Sequence, residues 1–94
     1  MYAVVRRYTF DKKNSAEIDR KVRDEFVPIV RKAKGFITYH WLDTGDGVGI
    51  SMGVFEDEAG ADESVHLAAD YVATHLAHLL GHPEITKGEV KAYG

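Results

Sequence analysis

The chain contains no cysteine. Disulfides, thiolate metal sites, Fe–S clusters and cysteine nucleophiles are therefore excluded. It has only two prolines, and no linker, low-complexity tract or internal repeat interrupts it. No apolar run approaches the roughly 18 residues of a membrane span. The opening residues Met1-Tyr2-Ala3-Val4-Val5-Arg6-Arg7 carry no positive leader ahead of their short apolar stretch. They do not read as a signal peptide, and the expected compartment is the cytoplasm. Positive charge is not in excess either: 12 Lys and Arg stand against 15 Asp and Glu, a net charge of −3. Nucleic-acid binding needs clustered cations and is not expected.

What is present is the composition of an ordinary globular protein, 45% hydrophobic and 29% charged over 94 residues. That length predicts one domain, residues 1–94. Aromatic and β-branched residues from Tyr2 to Phe10 predict a strand. Asn14 and Glu17 have the spacing of a capping box. Ile18, Val22, Phe26, Ile29, Val30 and Ala33 then recur at helical spacing, with Pro28 expected to kink that helix and Gly35 to end it. Phe36 to Leu42 and Val48 to Phe55 predict two strands joined by a hairpin at Asp43-Thr44-Gly45-Asp46-Gly47. Asp57 is a plausible N-cap for a second helix. Its apolar face reads Ala61, Val65, Ala68, Ala69, Val72, Leu76, Leu79 and Leu80. Gly81-His82-Pro83 ends it, and Ile85 to Tyr93 predicts a last strand broken by Gly88.

The order β-α-β-β-α-β is the ferredoxin-like plan, an α+β fold. It has a four-stranded antiparallel sheet, the first and third strands central, with two helices on one face. The sheet does not alternate cleanly. Strict alternation puts Phe36 and Leu42 on one side of the second strand, with Ile37, Tyr39 and Trp41 on the other. Tyr39 and Trp41 then either line a cavity or fill an interface. Apolar groups on both faces predict that a second copy covers the open face, giving a homodimer.

Several segments resemble the antibiotic biosynthesis monooxygenase type of dimeric α/β barrel. They are Phe26-Val27-Pro28-Ile29 leading to Gly35-Phe36, Tyr39, the turn at residues 43–47, Val54-Phe55-Glu56-Asp57, Ser64, Ala68-Ala69 and Gly88-Glu89-Val90. The resemblance implies a barrel formed across a dimer. It also implies either oxidation of quinol-type precursors without metal or flavin, or haem degradation. The haem-degrading branch uses an Asn on the first strand and a Trp and a His on the second helix. Here the first strand has Arg6 and Arg7, and the second helix has Tyr71, with His75 the partial match.

Helical spacing places Ser64, Tyr71, His75 and His78 along one flank of the second helix. A histidine can take a proton from a phenol or quinol, and Tyr71 could orient it; otherwise the flank is structural. His75, His78 and His82 offer three imidazoles, but no metal-binding motif frames them and no metal is assigned. Arg6 and Arg7 must point to opposite faces of a strand. A buried guanidinium needs a partner, Glu89 being the candidate, or binds an anionic or enolate oxygen. His40 is either a hydrogen-bonded structural residue or a substrate contact. Gly49, Ser51 and Gly53 share one face, leaving room for a ligand or for close packing.

Two functional readings result. One is a cofactor-independent, monooxygenase-like protein that acts on or binds a small aromatic or quinol-type metabolite between helices and sheet. In it His75 and Tyr71 are catalytic, and Arg6, Arg7, His40 and His78 are substrate contacts. The other is a non-catalytic homodimeric binding or interaction module. A haem-handling protein is a third possibility, resting on His75 and the resemblance.

Overall fold

The computed structural model describes residues 1–94. Strand β1 (Tyr2–Thr9) leads to helix α1 (residues 15–30), then to the hairpin of β2 (Phe36–Asp43) and β3 (Val48–Phe55). Helix α2 (residues 58–76) and strand β4 (Glu84–Glu89) follow. The sheet is antiparallel in the order β2-β3-β1-β4, so β1 and β3 are central, as the apolar runs indicate. Val4, Ile18, Val22, Phe26, Val30, Phe55, Ala61 and Leu76 form the heart of the core where the two helices lie on the sheet. β4 runs unbroken through Gly88, and all six of its residues are exposed.

Three local departures from regular geometry decide which side chains face the core. The first is a β-bulge between Phe36 and Thr38, which leaves Ile37 without a partner on β3. Side chains alternate along a strand, so one extra residue resets the face of everything beyond it. Phe36 therefore shares the helix-facing side with Tyr39 and Trp41, and all three pack against the core. This corrects strict alternation, which separates Phe36 from them. Leu42, 59% exposed, stays on the open face.

The second departure is in α1. Its buried residues Ile18, Val22, Phe26 and Val30 are spaced by four, slightly more than one α-helical turn. A wide π-turn at Val22–Phe26 absorbs the drift, with the Val27 amide donating to the Val22 carbonyl. It ends two residues before Pro28, whose ring would press on the Asp24 carbonyl in an unbroken α-helix. The capping box does not form. Asn14 makes no side-chain cap, and Asp11 instead accepts from the Lys13 amide at 3.1 Å.

The third is a π-turn at Val72–Leu76 in α2. The buried stripe Ala61, Ser64, Ala68, Tyr71 would continue to residue 75 in a regular α-helix. The added residue per turn carries Leu76 and Leu80 inward instead and leaves His75 and His78 exposed. Asp57 caps this helix as its sequence indicates, accepting from the Gly60 amide at 3.1 Å.

The start of α2 packs directly on the loop that follows α1. A Cβ on Gly60 would lie 2.1 Å from the Lys34 carbonyl oxygen. In an exposed helix, Gly→Ala stabilises by roughly 1 kcal/mol. Here Gly60→Ala is expected to destabilise by about 1–3 kcal/mol, because the obstacle is backbone. Thermal melting decides it: the midpoint should drop by roughly 4–8 °C per kcal/mol, and an unchanged or higher midpoint contradicts the packing.

Candidate functional site

On the helix-facing side of β3, Gly49, Ser51 and Gly53 alternate toward the core. A Cβ at Gly49 would meet the Trp41 ring at 2.4 Å, and one at Gly53 would meet the Phe55 ring at 2.9 Å. The two glycines are thus seats for aromatic rings, and close packing takes the room they leave. Ser51 lies between them, 1% exposed; its hydroxyl completes no well-formed hydrogen bond, and its one polar contact is a weak one with the Tyr39 phenol, whose pKa it acts to lower. It borders a cavity of about 20 Å³ walled by Tyr8, Tyr39, Trp41, Tyr71, Arg6 and apolar side chains of both helices. That is room for one water. Both π-turns contribute to the wall, through Val22 and Phe26 on α1 and Val72 and Leu76 on α2.

A groove of about 560 Å³ runs between α2 and β4. Val65, Ala69, Ala73, Ala77, Pro83 and Ile85 make it largely apolar. It shares Arg6, Tyr8, Val72 and Leu80 with the inner cavity, so those four side chains form the partition. Its size is in the range of small-molecule sites.

Arg6 is the charged group of both spaces. Its side chain faces the helices and is 4% exposed. Its Nη2 donates to the Ser64 carbonyl at 2.9 Å, and it takes part in none of the six ion pairs. Burial lowers its pKa, while Tyr8 and Tyr39 act to raise it. An arginine nonetheless stays protonated. Removing such a charge from water costs several kcal/mol. One charge-assisted hydrogen bond returns roughly 1.5–3. A domain of this length is stable by only about 5–14 kcal/mol, so the deficit is a substantial fraction of the whole.

Arg7 points the opposite way, as the strand period requires. It pairs with Glu84, its register partner on β4, at 3.2 Å. Glu89 is partner to neither arginine. The antiparallel register sets it opposite Tyr2, at the far end of β1, where it meets Lys91.

The tyrosines around the cavity are held neutral. Burial raises Tyr8, and burial pushes Tyr39 up to about 12. Trp41 is held by its indole N–H, which donates to Asp19 Oδ1 at 2.8 Å. Burial raises Asp19, while the Gly45 amide lowers the neighbouring Asp43.

Of the flank on α2, Ser64 and Tyr71 are core residues. The Ser64 hydroxyl donates to the Ala61 carbonyl at 2.7 Å. The Tyr71 ring walls the cavity, but its hydroxyl donates away from it, to Glu25 Oε1 at 2.6 Å. His75 is exposed and stacks on Tyr71, ring centroids 4.8 Å apart. His75 and His78 border neither the cavity nor the groove, and the groove's one imidazole is His82. No three His, Asp or Glu side chains converge as a metal site. His40 is exposed on the open sheet face, beside Met52 and Tyr93. Ser51 and Tyr8 are the site residues that the sequence did not single out as chemical groups. Pairing Arg6 with Ser51 requires the β1–β3 register.

No protein-family model and no curated protein matches the chain. Solved structures do. A protein of unknown function, NE2512 from Nitrosomonas europaea, superposes with a TM-score of 0.82 at 24% identity, over 99% of this chain and 91% of that one. The monooxygenase ActVA-Orf6 of Streptomyces coelicolor, solved with nanaomycin D, gives 0.77 at 12% identity, over 98% and 88%. The haem-degrader MhuD of Mycobacterium tuberculosis, solved with two haems in its active site, gives 0.77 at 13%, over 100% and 99%. The likeness is one of fold: the chain has the ferredoxin-like fold, a four-stranded antiparallel sheet with two helices on one face, that these structures share.

The Tyr71–Glu25 contact has a pH signature. The hydrogen bond from Tyr71 holds Glu25 below its ordinary value of 4.5. Burial, then Glu25, raises Tyr71. A depressed carboxyl contributes stability above its unfolded pKa and loses it as pH falls through the folded pKa. A raised phenol contributes below its unfolded pKa and loses it as pH rises. Tyr71→Phe should therefore lower the melting temperature at neutral pH, with the deficit shrinking in acid. Melts between about pH 3 and pH 8 test this; a deficit independent of pH would mean that only packing was lost.

Proposed function

We propose that the chain binds a small aromatic or quinol-type molecule in the cleft between α2 and the sheet, and that any chemistry on it is of the monooxygenase kind. The observation that carries this is Arg6, a buried guanidinium without a carboxylate, at the partition between a water-sized cavity and an apolar groove. A charge kept there at a cost to stability is what a binding site for a polar group on an apolar ligand requires. The fold shared with ActVA-Orf6 supports oxidation as the reaction to test.

Binding has more support than catalysis. Oxidation of a quinol or anthrone begins with loss of a proton, and an acceptor must come within hydrogen-bond reach. His75 reaches the cleft only through the Tyr71 ring, whereas His82 borders the groove directly. In the oxidative reading a CH₂ of an anthrone becomes a carbonyl, with one dioxygen taken up and one water released. Dioxygen uptake with an anthrone as probe, in wild type, His75→Ala and His82→Ala, is the test. The reading expects uptake above the protein-free rate and its loss in one of the two variants. No uptake with retained ligand binding leaves a binding protein. An unchanged rate in both variants removes the imidazoles from the mechanism.

We also propose that two copies pair through the open sheet face. Val5, Ile50, Val54, Met52 and Leu42 lie there, the last two 42% and 59% exposed. Sedimentation should find a dimer in the wild type and a monomer in a Met52→Glu, Leu42→Glu double variant. A monomeric wild type refutes the pairing.

A further inference from the structure

Arg6 and Ser51 are directly opposite each other on neighbouring strands, so their side chains leave the sheet on the same face. Both are more than nine-tenths buried, at 4% and 1% exposed. The Ser51 hydroxyl makes no well-formed hydrogen bond, only a weak contact with the Tyr39 phenol, and one hydrogen bond joins Arg6 to protein. A guanidinium carries five N–H donors. The cavity between them is otherwise bounded by aromatic and aliphatic side chains and has room for one water.

A water there would satisfy the hydroxyl but leave the charge uncompensated. A single anionic oxygen does both. The volume discriminates further: a carboxylate brings two oxygens and a carbon, whereas an ionised ring hydroxyl brings one oxygen. The ring attached to it fits the groove, whose lining shares Arg6, Tyr8, Val72 and Leu80 with the cavity. Val72 and Leu80 are the aliphatic side chains that must turn for one molecule to span both.

We infer that Arg6 and Ser51 form an oxyanion site for the ionised hydroxyl of a hydroxyaromatic or hydroxyquinone ligand, with the ring in the groove between α2 and β4. This rests on the reading that the cleft holds a small molecule, and it adds the charge and the atom that is recognised. A fixed cation beside an acidic group favours its ionised form. The bound ligand should therefore ionise at lower pH than the free one.

The probe is 2-hydroxy-1,4-naphthoquinone, whose ionised form is distinguished by its visible absorbance. Its apparent pKa is read free and bound, and its affinity is measured by calorimetry, with 1-naphthoate as the carboxylate comparison. The wild type should lower the ligand's pKa by about one unit, equivalent to roughly tenfold tighter binding of the anion. Arg6→Met should abolish that shift, Ser51→Ala should reduce it, and Arg6→Lys should retain part of it. Melting of Arg6→Met separates binding from folding, since removing an unpaired buried charge should hold or raise the midpoint. Arg6→Lys and Ser51→Ala keep the test decisive if that variant does not fold.

Quinone binding without a pKa shift, unaffected by Arg6→Lys and Ser51→Ala, overturns the oxyanion site but leaves the cleft as a binding site. Tighter, Arg6-dependent binding of 1-naphthoate overturns the single-oxygen assignment in favour of a carboxylate. No binding of either probe overturns both readings.

Discussion

The buried charge of Arg6 is the constraint on which the character of the cleft depends. Its guanidinium comes off a central strand, passes under α2 and ends on the Ser64 carbonyl. No acidic side chain meets it there. Around it the wall is made of neutral tyrosines, a tryptophan and aliphatic groups, so its field is little compensated. The opposite arginine, Arg7, shows what the same residue does where it is half exposed: it forms an ordinary surface pair with Glu84. Such a pair adds little to stability. Two adjacent residues of one type thus acquire different roles through the two-residue period of the strand.

The rest of the site is a consequence of three extra residues. The bulge at Ile37 brings Tyr39 and Trp41 over the glycines of β3 on the same side as Phe36. The π-turn in α1 keeps Val22 and Phe26 in line with the cavity, and that in α2 turns Leu76 and Leu80 inward while Tyr71 stays in the wall. Irregular turns of this kind are frequent at functional sites because they re-aim side chains without ending the element. Here the two π-turns wall one small volume, and the rings of Tyr39 and Trp41, beyond the bulge, close it. Trp41 hydrogen-bonded to Asp19, and Tyr71 hydrogen-bonded to Glu25, tie the wall to α1.

At this place the proposed binding role stands against stability. An apolar side chain at position 6 and an alanine at 51 would satisfy the packing better than a lone cation and a poorly bonded hydroxyl. The neighbouring positions show that the chain can pack closely where it needs to, since rings fill the space above Gly49 and Gly53 to contact distance. The polar pair between them is the departure from that rule, and departures of this sort concentrate where proteins bind or react.

Element order, strand pairing and the position of the helices were legible in the sequence. They follow from apolar periodicity, Asp57 at a helix start, Gly35 at a helix end and the turn at residues 43–47, all interactions between near neighbours. The opposition of Arg6 and Arg7 was legible for the same reason. The site itself was not. Spacing along a regular helix aligned His75 and His78 with Tyr71, and strict alternation separated Phe36 from Trp41. One inserted residue shifts a face by about 100° on a helix or 180° on a strand, and nothing local announces it. The pairing of Arg6 with Ser51 is a matter of register between strands 45 positions apart in the chain. The sequence alone determined which segments become helices and strands. Packing of the whole domain decided which side chains meet, because a bulge or a π-turn is selected by the core it allows to close.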